Sequence, residues 1–133
     1  MDLSTLEPIK DAATYRVRHP VTNELLEEKE GPVTIDLLSA DSDAFRTRQF
    51  AALNKRLRSG KKPKLSAEDI DDEAIDLIAA CITGWRNIEL DGEAFPYSPD
   101  NAKALLRRLP WLREQLDEAI ADRANFIRTS RTS

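Results

Sequence analysis

The hydrophobic period of this chain changes once, near residue 40, and that change constrains the fold more than any other feature. Between residues 14 and 38, apolar and polar side chains alternate at the two-residue period of a half-buried strand, most clearly at Val33, Ile35 and Leu37. From about residue 42 onward, apolar side chains recur every three or four residues, as in amphipathic helices. Because a hairpin or three-stranded meander is not stable alone in water, we expect the strands to pack on the helices.

This pattern predicts an α+β fold, in which a small N-terminal antiparallel β hairpin or meander packs on a predominantly helical C-terminal part of about four helices. A length of 133 residues predicts a single domain. Its predicted segments are an arm at 1–12, the β element at 14–38, the helical part at 42–127 with a connector at 85–97, and a flexible tail at 128–133.

Capping residues predict where the helices begin and end. A first helix is expected over about 43–58, with Phe50, Leu53 and Leu57 as its more apolar stripe. Ser66 opens the next helix, which we expect to be the central core helix and to stop at Thr83-Gly84.

Two prolines mark the remaining helix starts. Ser98 followed by Pro99 is a strong start signal, since serine caps a helix and proline fits its first position. Pro110 cannot continue that helix, so we expect it to open a further one over about 111–127.

The chain offers few side chains for catalysis or metal binding. The one histidine, His19, lies at a predicted strand-to-turn junction without a nucleophile motif, so we interpret it as a surface or half-buried strand residue. The one cysteine, Cys81, lies on the apolar face of a helix and is interpreted as a small buried hydrophobe. Four scattered glycines form no phosphate-binding loop. We therefore expect no catalytic residues, no metal, no cofactor and no enzymatic activity.

Charge is arranged in alternating blocks. The net charge is −4 over residues 1–40, +6 over 41–66, −9 over 67–100 and +3 over 101–133. The boundary between +6 and −9 lies where a helix end is followed by a helix start, so pairing with the helix dipole accounts for much of it. We expect the remainder to be complementary surface for head-to-tail self-association or for a charged helical client.

A dense cationic stretch at 55–64 has two interpretations. Clustered cations at a helix end and loop bind phosphates, which would suit a nucleic-acid-binding regulator. The acidic isoelectric point of about 5.1 and the absence of interleaved aromatics argue against it, so it stays the weaker alternative. The predicted electrostatic contact residues are Lys55, Arg56, Arg58, Lys61, Lys62 and Lys64.

The aromatic side chains are few but grouped around an Asp91-Gly92 turn. They either seal the core beneath the connector or form a partly exposed patch for a partner segment, with leucines of the last two helices lining an adjoining groove. The predicted partner-binding residues are Trp85, Phe95, Tyr97, Leu109, Trp111, Leu112 and Leu116.

The connector also carries a family resemblance. The segment from Trp85 to Leu106, with its tryptophan, Asp-Gly turn, Phe-Pro-Tyr-Ser run, asparagine-containing helix start and leucine pair, resembles tail assembly chaperones of long-tailed, siphovirus-like bacteriophages. Residues 19–26 are similar to the strand–turn element of that family, and residues 35–45 to its strand leading into the first helix. The resemblance covers about residues 14–120.

The resemblance implies a non-enzymatic role. Such chaperones bind and solubilise the helical tape measure protein during tail-tube assembly, help to recruit the tail tube protein and self-associate. They work in the host cytoplasm and are generally absent from the mature virion, and no membrane partner is implied. A structural alternative is a head–tail joining or tail completion protein retained in the particle.

Overall fold

The structure, a computed structural model, describes residues 1–58 and 66–127. The strands in these residues are β1 (Ala13–Arg16), β2 (Glu27–Glu28), β3 (Gly31–Pro32), β4 (Thr34–Leu37), β5 (Ile82–Arg86), β6 (Glu89–Leu90) and β7 (Glu93–Ala94). The helices are α1 (Asp43–Arg58), α2 (Ala67–Cys81), α3 (Pro99–Arg108) and α4 (Pro110–Ala121). The predicted α+β class is confirmed, with strands first and helices in the C-terminal part.

A three-stranded antiparallel sheet, in the order β1-β4-β5, forms one layer. Its middle strand, β4, places Ile35 opposite Tyr15 on β1 and opposite Trp85 on β5. Ile35 and Leu37 are both buried, because they share the face of β4 that packs on the helices. The short pairs β2–β3 and β6–β7 are separate hairpins.

Strand β5 corrects the predicted end of α2. We expected Thr83-Gly84 to stop the helix and 85–97 to be a connector. Instead α2 ends at Cys81, and the chain continues at once into β5, which contains both residues. Because β5 is held by pairing with β4, far away in sequence, the local Thr-Gly signal gives no indication of it. The predicted tight turn at Asp91-Gly92 is present between β6 and β7.

Both predicted serine caps are present. The Ser66 hydroxyl accepts a hydrogen bond from the Asp69 backbone N–H, and the Asp69 carboxylate accepts one from the Ser66 N–H, which completes a capping box. The Ser98 hydroxyl accepts from the Asn101 N–H at 3.0 Å, with Pro99 in the first turn of α3.

The last helix is shorter than the predicted 111–127. Helix α4 ends at Ala121, because the Asp122 carboxylate accepts a hydrogen bond from the Ala124 N–H and starts a short 3₁₀ turn. The Asn125 side chain donates to the Ala119 carbonyl oxygen and fixes this turn against the helix. The turn directs Phe126 into the core, where it is 1% exposed.

The core lies between the sheet and helices α2, α3 and α4. Its largest fully buried side chains are Phe126, Ile35, Leu37, Leu105, Leu106, Leu116, Ile120 and Cys81. Helix α1 contributes no buried residue and packs against α2 at the periphery. The first turns of α2 also extend beyond the core, so Ile70 is 54% exposed.

The N-terminal arm is anchored at one point. Residues 3–6 form an exposed 3₁₀ turn, and the Ile9 N–H then donates to the Phe126 carbonyl oxygen at 2.7 Å. Ile9 is half-buried against the core. None of the helices in residues 1–58 and 66–127 has the length and apolar content needed to cross a membrane.

Candidate partner-binding surfaces

Three of the predicted aromatic residues form one cluster. The rings of Trp85 and Phe95 stack with centroids 5.9 Å apart, and Tyr97 meets Trp85 edge-on at 5.2 Å. The indole N–H of Trp85 donates to the Phe95 carbonyl oxygen at 2.7 Å, and the Tyr97 hydroxyl donates to that of Ile82 at 2.9 Å. Each ring is half-buried, and the polar groups of Trp85 and Tyr97 are satisfied, so the cluster covers the core beside β5.

An apolar groove of about 150 Å³ lies beside this cluster. Leu109 and Trp111, on either side of Pro110, form one wall, and Val17 and Leu26 line it as well. Leu112 also lines the groove and is nearly fully buried. The groove is small, and a short aliphatic or aromatic side chain fits its volume better than a whole helix does.

The structure therefore divides the seven predicted partner-binding residues into three groups. Leu109, Trp111 and Leu112 line the groove. Trp85, Phe95 and Tyr97 form the neighbouring cluster, which the Phe95 N–H joins to the groove by donating to the Ile88 carbonyl oxygen. Leu116 is 0% exposed and belongs to the core. Val17 and Leu26 also line the groove but were not predicted, because they lie on either side of the turn after β1, far in sequence from the other lining residues.

Three of the six predicted cationic residues lie in the described part of the chain, where their surroundings differ. Lys55 and Arg58 are exposed in the last turn of α1, whereas Arg56 forms an ion pair with Glu73 on α2. Lys61, Lys62 and Lys64 lie outside the described residues.

Pairing between the helices explains much of the charge pattern. The acidic α2 pairs with α1 through Arg48 and Asp76, at 3.6 Å. It pairs with α3 and α4 through Asp72–Arg107 at 3.6 Å, Asp76–Lys103 at 3.2 Å and Asp71–Arg113 at 3.1 Å. Together with Glu73, which pairs with Arg56, four acidic residues of the −9 block thus pair at the partly exposed surface with cations of the +6 and +3 blocks.

One apolar surface was not predicted as a site. Phe50, Leu53 and Leu57, called here the α1 stripe, lie along one face of α1 and are 51%, 48% and 71% exposed. The opposite side of α1 carries Phe45 and Ala52, which are half-buried. The helical period identifies both faces, but only the tertiary structure shows which of them packs on α2.

The residues considered for chemistry have structural roles. The His19 ring Nδ1 accepts hydrogen bonds from the backbone N–H groups of Val21 and Thr22 at 3.1 and 3.2 Å, so it shapes the turn after β1. Cys81 is fully buried, and burial raises the pKa of its thiol to about 11. Within residues 1–58 and 66–127, no group of three or more His, Cys, Asp or Glu side chains is arranged to hold a metal ion.

Comparison of the sequence with protein-family models assigns the chain to a family. The sequence model of the family described as "YdaY prophage protein" matches residues 40–133, more than half of the chain. The chain belongs to the YdaY prophage protein family. No curated protein and no solved structure matches the chain. The YdaY match confirms the phage or prophage origin that the resemblance implied, while the description says nothing of tails or tape measure proteins.

The YdaY match includes most of the surfaces described above. It spans all four helices, and so contains the α1 stripe, the aromatic cluster and the Leu109–Trp111 wall of the groove. The N-terminal strands β1 to β4 precede it, as do the groove-lining residues Val17 and Leu26.

Proposed function

We propose that this YdaY family protein is a phage tail assembly chaperone that binds and solubilises the tape measure protein during tail-tube assembly. The observation that carries the proposal is the α1 stripe, an apolar helix face that the fold leaves uncovered. Membership of a prophage protein family is consistent with a role in phage assembly.

A chaperone for a helical client needs an apolar surface that the client can cover. Each large apolar side chain removed from water on binding contributes about 1.5–3 kcal/mol when burial is complete. Side chains at positions 50, 53 and 57 follow the spacing by which amphipathic helices pack on one another. The high charge of the remaining surface favours solubility while the stripe is free.

The groove offers a second, smaller contact. Leu109 and Trp111 are half-buried at its wall, where one apolar side chain of a partner would be enclosed. Aromatic and leucine side chains in such pockets are frequent anchors of protein interfaces.

The role proposed is non-enzymatic and requires neither metal nor cofactor. The partners proposed are the tape measure protein, the tail tube protein and a further copy of this chain. The place of action proposed is the host cytoplasm, with release before the virion is complete.

Co-expression with the tape measure protein of the same prophage tests the proposal. We expect more tape measure protein in the soluble fraction than with an empty vector, and a stable complex in a pull-down. An unrelated aggregation-prone helical protein serves as the client control and should gain no solubility.

Two results would count against this function. One is a tape measure protein that stays insoluble and forms no complex. The other is stoichiometric presence of the chain in purified virions by mass spectrometry, which would favour a head–tail joining or completion protein.

A further inference from the structure

The tip of the β6–β7 hairpin holds the one Asp-Gly step in the sequence, Asp91-Gly92. Both residues are exposed, and both have a positive φ, 55° at Asp91 and 80° at Gly92, as the two central residues of a type I′ turn require. A Cβ added at Gly92 would meet no atom within 4 Å, so the space around this glycine is open. The side chain of Asp91 is therefore next to an unhindered main-chain nitrogen.

An aspartate followed by glycine can form a cyclic imide without an enzyme. The Gly92 amide nitrogen attacks Cγ of the neutral Asp91 carboxyl group, the C–O bond to its hydroxyl breaks, and water leaves with that hydroxyl and the amide proton. Water then adds to either carbonyl carbon of the resulting succinimide and opens the ring. One opening restores aspartate, and the other leaves isoaspartate, in which the main chain runs through Cγ. The ionised carboxylate reacts far less readily, because it has no hydroxyl to lose.

Arg108, in the last turn of α3, holds the Asp91 carboxylate by both of its oxygens. The two terminal nitrogens of the guanidinium donate to them at 2.9 and 2.6 Å. A bidentate pair of this kind fixes the orientation of the carboxylate as well as its charge. These hydrogen bonds lower the pKa of the Asp91 carboxyl from its ordinary value of 3.8, so less of the reactive neutral form is present.

The hairpin itself gives this turn little support. Strands β6 and β7 have two residues each and pair only with one another. Because isolated two-stranded hairpins are at best marginally stable, this one can open locally while the core stays folded. Opening frees the Asp91 side chain to approach the Gly92 nitrogen. Arg108 opposes it, because Arg108 ties the tip to a helix whose Leu105 and Leu106 are buried in the core.

We propose that Asp91 is an isomerisation site and that Arg108 holds its conversion to isoaspartate in check. Isoaspartate adds one methylene to the main chain, which a two-residue turn cannot absorb while keeping Leu90 paired with Glu93. Leu90 lines the apolar groove, so the modification would change the groove as well as the turn. The side chains of Arg108 and Asp91 are 50% and 74% exposed, and a pair this exposed contributes little to stability.

Ageing the full chain at mildly acidic pH and physiological temperature tests the site. Protein isoaspartyl methyltransferase, with labelled S-adenosylmethionine, measures the amount of isoaspartate, and electron-transfer mass spectrometry locates it. The wild type should accumulate isoaspartate slowly at Asp91. A synthetic peptide of residues 88–95 has the same Asp-Gly step and no arginine, and should accumulate it at least about threefold faster.

Matched variants test the role of Arg108. Arg108→Gln should speed isomerisation about threefold or more, because it removes both the charge and the two-point hydrogen bonding. Arg108→Lys keeps a cation without the fork geometry, and its rate should lie between those of wild type and Arg108→Gln. Arg107→Gln is the control, since it makes the same change in net charge on the same turn of α3, but Arg107 pairs with Asp72. It should age like the wild type.

Circular dichroism confirms that each variant is folded. If Arg108→Gln does not fold, salt takes its place in the test. High salt screens the exposed pair, so it should accelerate isomerisation in the wild type and leave the peptide unchanged. Four results would overturn the proposal: no isoaspartate at Asp91 in the peptide, equal rates in wild type and folded Arg108→Gln, equal acceleration by Arg107→Gln, or, in the salt test, a wild-type rate that does not change.

Discussion

The side-chain amide of Gln115 pairs with both backbone polar groups of Arg18, 97 residues away. The Gln115 Oε1 accepts from the Arg18 N–H at 2.8 Å, and its Nε2 donates to the Arg18 carbonyl oxygen at 3.0 Å. The same Oε1 also accepts from the Tyr15 hydroxyl at 2.9 Å. One side chain of α4 thereby acts as a strand partner for the chain that leaves β1.

Replacing this amide should loosen the edge of the sheet. Gln115→Leu removes all three hydrogen bonds at similar side-chain volume, and we expect a loss of about 1–3 kcal/mol in the free energy of unfolding, measured by urea denaturation. Hydrogen exchange at the Arg18 amide should accelerate more than at Ile35. Gln115→Glu keeps the acceptor oxygen, so its exchange rate at the Arg18 amide should lie between those of wild type and Gln115→Leu. Equal exchange rates in all three proteins would contradict this role of Gln115.

Two leucines, one in the core and one on the exposed face of α1, should differ in their contribution to stability. Leu116 is 0% exposed, so Leu116→Ala should cost about 2–5 kcal/mol by leaving a cavity. Leu57 is 71% exposed, and Leu57→Ala should change the free energy of unfolding by no more than about 0.5 kcal/mol. Urea denaturation of both variants checks this. A large loss in Leu57→Ala would mean that the stripe is packed rather than free.

The buried thiol of Cys81 should be protected from reaction. Burial raises its pKa to about 11 from an ordinary value of 9.0, so at pH 8 the folded protein should react slowly with a disulfide reagent and the urea-unfolded protein quickly. In Thr83→Cys, whose new thiol lies at an exposed position, one thiol should react fast and one slowly.

The same pKa gives a sign for the dependence on pH. The folded state holds the Cys81 proton more tightly than the unfolded state. This contribution to stability is therefore complete below pH 9 and is lost as pH rises from about 9 to 11. The urea denaturation midpoint of the wild type should therefore be lower at pH 11 than at pH 9, and the decrease should be smaller in Cys81→Ala.

The contribution of an exposed ion pair to stability should depend on pH in the opposite direction. The Arg123 guanidinium donates to the Asp41 carboxylate at 2.7 and 3.0 Å, and this hydrogen bonding lowers the pKa of Asp41 from 3.8. Its contribution is present above that value and lost as pH falls through the lower folded pKa. Both side chains are more than a third exposed, so the effect should be small and weaker in high salt.

A double-mutant cycle with Asp41→Asn and Arg123→Gln measures this pair. The coupling at pH 7 should disappear when Asp41 is protonated. Coupling that persists in acid would show that contacts other than the ion pair join the two residues.

The sequence predicted those parts of the candidate partner-binding surfaces that depend on neighbouring residues, but not those that depend on contacts between distant ones. Trp111 was predicted as one of the grouped aromatic residues and Leu109 as one of the helical leucines beside them, and both line the groove. Leu116 shares their period but faces the core, since a helix face contains both rim and interior positions. The α1 stripe was visible as a pattern, but its exposure depends on what the rest of the fold leaves uncovered.

The sequence by itself determined the class of the fold and the helix starts. The change of hydrophobic period, the Ser66 capping box and the Ser98-Pro99 start involve residues within a few positions of one another, where local hydrogen bonds and sterics decide the outcome. Only the tertiary structure decided that Ile82–Arg86 becomes a strand and that the α1 stripe faces solvent. These depend on pairing and packing between distant residues, whose energies can override local preference.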